Sequence, residues 1–501
     1  MRIYKIVSAL FLVFALGACE SELDLQPEST LTYNGFWESE EAARAAQVGL
    51  YANFRNYNST FWVMGEVRSD IWGGPTFESP SNLDLINQNI SATQVPFGNW
   101  AGFYGYMHHI NDFLLNIENI EFDNEADKAH LIGQVYGIRA FMYFTMLKTW
   151  GGVPISTEPL LDVNPSELAK ARSSKEEVMA LVKSDIARSL EAFGDDESFW
   201  NGQRTYWSKA ASLVLKGKVY LWSGKLLGGG DADYNEAKLA LEEVQGMGFS
   251  LVENYNDLWG EENENNNEFI FKFDYTQDEA GNFYSGLFTG RSTEINATWD
   301  SYGNSMADFI SNGGNRYGPS IKILEMIDNT EDARRDETFI RLYGNDEGHI
   351  PFDTEGYQAS ILKKFLGVVE AGSRLSNNDV PLFRYADVIL LLAEAKNNLG
   401  EDPSEEINQI RMRAYGEDYT EAEDAYTGGS QVENTRAILD ERLKEFIGEG
   451  KRWWDLRRAG GTFIFDEIES LDAAEAYKLE LPISPGMIAN NPLLEQTEGY
   501  E

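Results

Sequence analysis

The chain has 501 residues, 43% of them hydrophobic, with 12 Trp, 24 Tyr and 28 Phe, which is enough core-forming material to exclude wholesale disorder. Asp and Glu number 82 against 41 Lys and Arg, a formal charge of −41. A polyanion of this size is repelled by phosphate backbones and by anionic lipid headgroups. Nucleic acid is therefore disfavoured as a partner, and any membrane attachment has to come from a covalent anchor or another protein.

Arg2 and Lys5 precede an apolar run from Ile6 to Leu16 that only Ser8 interrupts. At about 1.5 Å per residue it falls short of the ~30 Å hydrocarbon layer, so residues 1–18 read as a signal peptide and not as a membrane span. Leu16-Gly17-Ala18-Cys19 resembles the bacterial lipobox: an apolar residue, two small ones, and the cysteine that receives the lipid. Cys19 is the sole cysteine, so no intrachain disulfide can form and lipidation is its expected role. The following Glu20-Ser21-Glu22-Leu23-Asp24 resembles the signal that directs some Gram-negative lipoproteins to the outer face of the outer membrane. It reads equally as a solvated tether.

Beyond the tether the pattern is helical. Ser39 is an expected N-cap, with Glu40 and Glu41 in the first turn and Ala42, Ala45, Ala46, Leu50 and Phe54 at helical spacing. Residues 58–96 lose this period, are rich in Gly, Pro, Ser and Asn, and are predicted to be a long loop. Helices are predicted over 100–120, 125–150, 174–193, 208–227 and 234–246, the second stopping at Gly151-Gly152-Val153-Pro154. Residues 268–275 alternate as a strand, preceded by a polar loop at 261–267. Residues 282–317 are rich in Gly, Asn, Ser and aromatics. Further helices are predicted over 384–399, 405–414 and 435–447, the first apolar on nearly every side and so buried. Pairs such as 208–227 with 234–246, and 384–399 with 405–414, suggest an irregular tetratricopeptide-like solenoid, whose usual unit is about 34 residues.

Several stretches, met in order, resemble the SusD/RagB family of outer-membrane nutrient-binding lipoproteins. They are Leu23-Asp24-Leu25-Gln26-Pro27 with Phe36-Trp37, then Arg139-Ala140-Phe141-Met142-Tyr143-Phe144 with the Gly-Gly-Val-Pro element at 151–154. Arg384-Tyr385-Ala386-Asp387-Val388 with Ala393-Glu394-Ala395 follows, then Asn408 to Ala414. Next comes the block from Glu441 through Glu449-Gly450-Lys451-Arg452-Trp453-Trp454-Asp455-Leu456-Arg457-Arg458. Leu481-Pro482-Ile483 and Asn491-Pro492 to Tyr500 close the set. The resemblance spans the mature chain, residues 19–501. It implies a mainly α fold, a tetratricopeptide-like scaffold (36–57, 97–246 and 380–460) with a loop-rich, partly β insertion. The variable binding regions are then 58–96 and 247–380. It also implies a non-catalytic protein that captures oligosaccharide, or a peptide or another nutrient, and acts as lid to a TonB-dependent, SusC-like barrel transporter.

A sugar ring lays its C–H face on an aromatic ring while polar groups hydrogen-bond its rim. Two loop stretches offer that combination: Arg68, Asp70 and Trp72 in one, Trp299, Tyr302 and Asn304 in the other. The 440–458 block reads as structural. Glu441, Glu445 and Glu449 recur every fourth residue and can pair with guanidinium groups of neighbouring helices, and Arg384, Asp387 and Glu394 are expected to form internal polar pairs on a buried helix. Catalytic signatures are weak. His108 and His109 point about 100° apart on a helix, no metalloprotease, P-loop or nucleophile-elbow pattern occurs, and no metal or cofactor is expected. Asp231 to Glu242 imitates a calcium loop but carries Glu236 where glycine is needed, so Asp233 is expected to be an N-cap. The readings from other classes are a surface glycoside hydrolase and a scaffold for transporter assembly.

Overall fold

The structure, a computed structural model, describes residues 33–161 and 168–501. The predicted signal peptide, Cys19 and the acidic stretch behind it lie outside the described residues.

Helix starts follow the capping residues in the sequence. The Ser39 hydroxyl accepts the Ala42 N–H and opens α1, Glu40–Arg55. The next long helix, α2, is Ala101–Ile117. Asn124 caps α3, Glu125–Trp150, which stops at Gly151 with φ +75°, a left-handed conformation that disfavours any side chain. Ser174 and Glu177 form a capping box on α4, Lys175–Phe193. Ser208 caps α5, Lys209–Leu226, and α6 is Gly230–Gly246. Then come α7 (Tyr385–Asn398), α8 (Ser404–Tyr415), α9 (Gln431–Phe446, with a second capping box) and α10 (Arg452–Ala459).

Consecutive helices pack on one another, α3 on α4, α4 on α5, α5 on α6 and α6 on α7, and α7 then carries α8 and α9. This is the expected tetratricopeptide-like stack. As predicted, α7 is buried along most of its length. The strands form three antiparallel pairs: β1 (Phe269–Phe273) with β6 (Val380–Arg384), β2 (Phe339–Tyr343) with β3 (Tyr357–Leu362), and β4 (Val368–Glu370) with β5 (Ser373–Leu375). All of β1 is buried, so the predicted strand at 268–275 exists but shows no solvent face.

Two local expectations are corrected. The start of 58–96 is helical: Asn58–Trp62 forms a short helix that runs into a π-helical turn, Val63–Val67. Its residues lack an amphipathic period because this turn is enclosed. A Cβ on Gly65 would lie 1.9 Å from the Gly450 carbonyl oxygen. The Glu66 carboxylate accepts the N–H groups of Gly448 at 2.8 Å and Gly450 at 2.7 Å. Asp233 is not an N-cap. Gly229 holds that position, and Asp233 lies inside α6, where it pairs with Lys183 at 2.8 Å.

The acidic and basic residues of the C-terminal block are buried against one another. Arg384 donates to Glu268 at 2.7 Å, Glu445 at 2.6 Å and Glu449 at 2.8 Å, with all four side chains fully enclosed. Arg334 bridges Asp332 and Glu441, Arg442 binds Asp387, and Arg458 binds Glu394. The field of these guanidinium groups overcomes burial and holds Glu445 well below the ordinary carboxylate range. The block is structural, as its spacing predicts: it ties β1, β6, α7, α8 and α9 together.

Candidate functional site

Arg68, Asp70 and Trp72 face inward. The Arg68 guanidinium donates to Gln88 Oε1 at 3.0 and 2.7 Å and stacks 4.0 Å over the Trp453 ring. Burial lowers its pKa to about 9. The Asp70 carboxylate accepts two parallel bonds from Arg452, both at 2.9 Å. Trp72 packs among Trp62, Phe288, Tyr317 and Phe339. Just beyond it, Gly73 and Gly74 donate their N–H groups to the Gly318 carbonyl, both at 3.0 Å. These side chains fasten the 68–74 segment to α10 and to the insertion, and their interior packing leaves no ring face for a sugar in solvent.

The second group lies on the surface. Trp299 joins the edge of β2 through reciprocal backbone bonds with Tyr343, at 3.0 and 2.8 Å. The chain then turns sharply. The Asp300 carboxylate organises the turn by accepting the N–H groups of Tyr302 and Asn304 and the Asn304 side-chain amide, each at 2.9 Å. Gly303, at φ +81°, is required there because a Cβ would meet the Asp346 carbonyl at 2.6 Å. Tyr302 is 53% exposed. Its hydroxyl donates to Asp336 at 2.5 Å. Partial burial, then this carboxylate, raise the phenol pKa, so the hydroxyl stays protonated. Trp299 is half-buried and Asn304 exposed.

The turn therefore offers an exposed aromatic face bordered by carboxylates and an amide, the requirements for docking one sugar ring. Asp336 was not legible as a partner of Tyr302, because 34 residues separate them. Nor was the support beneath: His349 stacks flat on Tyr343 with centroids 3.9 Å apart and donates its backbone N–H to the Ser301 carbonyl. The structure brings Trp299, Tyr302 and Asn304 together and directs Arg68, Asp70 and Trp72 elsewhere. Among the described residues no cluster of His, Cys, Asp and Glu is arranged to hold a metal.

Comparison with known proteins now adds to this geometry. A family model described as "SusD family" matches residues 343–500, and one described as "Starch-binding associating with outer membrane" matches residues 23–221. NanU of B. fragilis is 34% identical over 95% of this chain and 100% of its own, with a TM-score of 0.85. A SusD superfamily protein from Bacteroides vulgatus is 32% identical over 93% of this chain and 100% of its own, with a TM-score of 0.84. The chain belongs to the SusD family. Among curated relatives, SusD-like protein P38 of Formosa agariphila is 27% identical over the full length of both chains. The stretches matched by the two family models meet in this structure where α10 packs on the π-helical turn after Trp62.

Proposed function

We propose that this SusD-family protein is a surface lipoprotein, anchored through Cys19 to the outer face of the outer membrane, that captures a glycan with the 299–304 turn and delivers it to a TonB-dependent, SusC-like barrel for which it is the lid. The division into a helical scaffold and variable binding regions belongs to the same reading, with 247–380 carrying the contact. The observation that carries it is the exposed Tyr302 ring, held by Asp336 and bordered by Asn304 and Trp299, in a family one of whose models is described as starch-binding. The chain's part in this is binding without bond cleavage.

Calorimetry of the purified protein against starch-derived and other oligosaccharides tests the site. Tyr302→Ala removes the stacking face and is expected to cost about 1–2 kcal/mol, about a tenfold loss of affinity, with Trp299→Ala losing less. Unchanged affinity in both variants, or binding to peptides and to no glycan, rejects the sugar reading. Release of reducing ends by the purified protein would instead place it among the hydrolases. The anchor is read separately, from fatty-acid labelling that Cys19→Ala abolishes, and the partner from co-purification with a barrel out of solubilised outer membrane.

A further inference from the structure

A pocket of about 70 Å³ opens between α3, α5, β6 and the start of α10, and none of the 299–304 residues lines it. That is several times the ~10–15 Å³ that admits one water. Aromatic rings, those of Phe61, Trp62, Phe144, Trp222 and Trp454 among them, line part of its wall. Into it projects Lys148, from the last turn of α3, only 9% exposed. The ammonium lies 4.6 Å from the Phe144 centroid and 4.4 Å from that of Trp454. Among the described residues no carboxylate, carbonyl or hydroxyl accepts a hydrogen bond from it.

The other cations around the pocket are already paired. Lys218 lies 2.6 Å from Asp387, Lys451 is 3.4 Å from Glu449, and Arg458 is held by Glu394 and Asp455. Asp455, the carboxylate that favours the Lys148 charge, is also engaged by Arg442 at 2.9 Å. Burial and the fields of Lys218, Arg458 and Arg457 all oppose the charge on Lys148. A buried amine with no hydrogen-bonded counter-charge, beside vacant space, carries its proton at least cost when an anion sits against it. The aromatic walls favour one with a short apolar part over a strongly hydrated multivalent ion.

We propose that this pocket binds a small monocarboxylate, its charge against Lys148 and its alkyl end among the rings. The site is separate from the glycan-binding turn and does not depend on it. The test is a ¹⁹F NMR titration of the mature protein with trifluoroacetate. A saturable shift with a millimolar dissociation constant is expected, reversed by propionate and not by propanol. Lys148→Met should weaken it at least about tenfold, while Tyr302→Ala leaves it unchanged. If K148M does not melt cooperatively, K148Q keeps a polar head without the charge and carries the same comparison. Absence of saturation in the wild-type protein up to about 100 mM overturns the proposal and leaves Lys148 a neutral amine facing water. Equal binding by the charge-free variant overturns it too.

Discussion

Replacing Asp70 by Asn separates two roles for one residue. If Asp70 held a ligand rim, D70N would weaken binding and leave the fold intact. The structure instead sets its carboxylate against Arg452 in a buried, bidentate pair, with side chains 2% and 3% exposed. Breaking one partner of such a pair costs about 3–5 kcal/mol. Arg452 keeps its bond to the Leu439 carbonyl and the fields of Asp440 and Glu467, which places the expected loss near the lower end, about 3 kcal/mol. Unfolding entropy of about 2.1 cal/mol/K per residue amounts to roughly 1 kcal/mol/K for 501 residues. The melting midpoint should therefore fall by about 3 °C, followed by circular dichroism or calorimetry. Calorimetric glycan affinity of the folded variant should match wild type. A midpoint within about 1 °C of wild type, together with a tenfold loss of glycan affinity, refutes the reasoning and returns Asp70 to the binding site.

Burial raises the Glu66 carboxyl from its ordinary 4.5 to about 7, against the opposing pull of the Gly448 and Gly450 N–H groups. The folded state thus holds this proton more tightly than the unfolded one. Its contribution to stability is complete below pH 4.5 and is lost as pH rises through 7. Glu66→Gln should flatten that part of a melting-temperature profile, and a profile identical to wild type counts against the assignment. Gly65→Ala should lower stability by about 3 kcal/mol or produce no folded protein, because the Gly450 carbonyl 1.9 Å from the new carbon is backbone and cannot swing away. An unaffected denaturation midpoint would mean that the contact between the two segments is looser than described.

The helical half was legible because its signals are local. Ser39, Ser174 and Ser208 each precede a run whose first turn they cap, and the glycine after Trp150 ends α3 where the pattern says it should, whereas α9 starts at Gln431 behind the Ser430 cap, before the expected 435. The pairing of the C-terminal block was legible in kind: the spacing of Glu441, Glu445 and Glu449 announces carboxylates on one helical face that need cations. Its partners were legible only in part, since Glu268 and Arg334 come from distant segments. The 58–74 segment misled for a physical reason. A stretch enclosed on all sides loses the alternation that distinguishes helix from loop, and its Gly, Asn and Trp composition is the same whether the rings face solvent or core. Trp72 and Trp299 occupy similar sequence contexts, and only tertiary packing separates them. The turn at 299–304 was recognisable by composition, whereas its exposure depends on β2 and β3, which were not predicted.

The carboxylates that balance Arg334 and Arg384 come mainly from residues 441–449, near the end of the chain. A ribosome delivers the two guanidinium groups first, and they have no complete set of counter-charges until α9 has emerged. The middle of this polypeptide consequently cannot reach its final arrangement until about nine-tenths of the chain has been made. On the proposed route of export, a chain organised in this way remains threadable through a translocation channel and closes up on the far side.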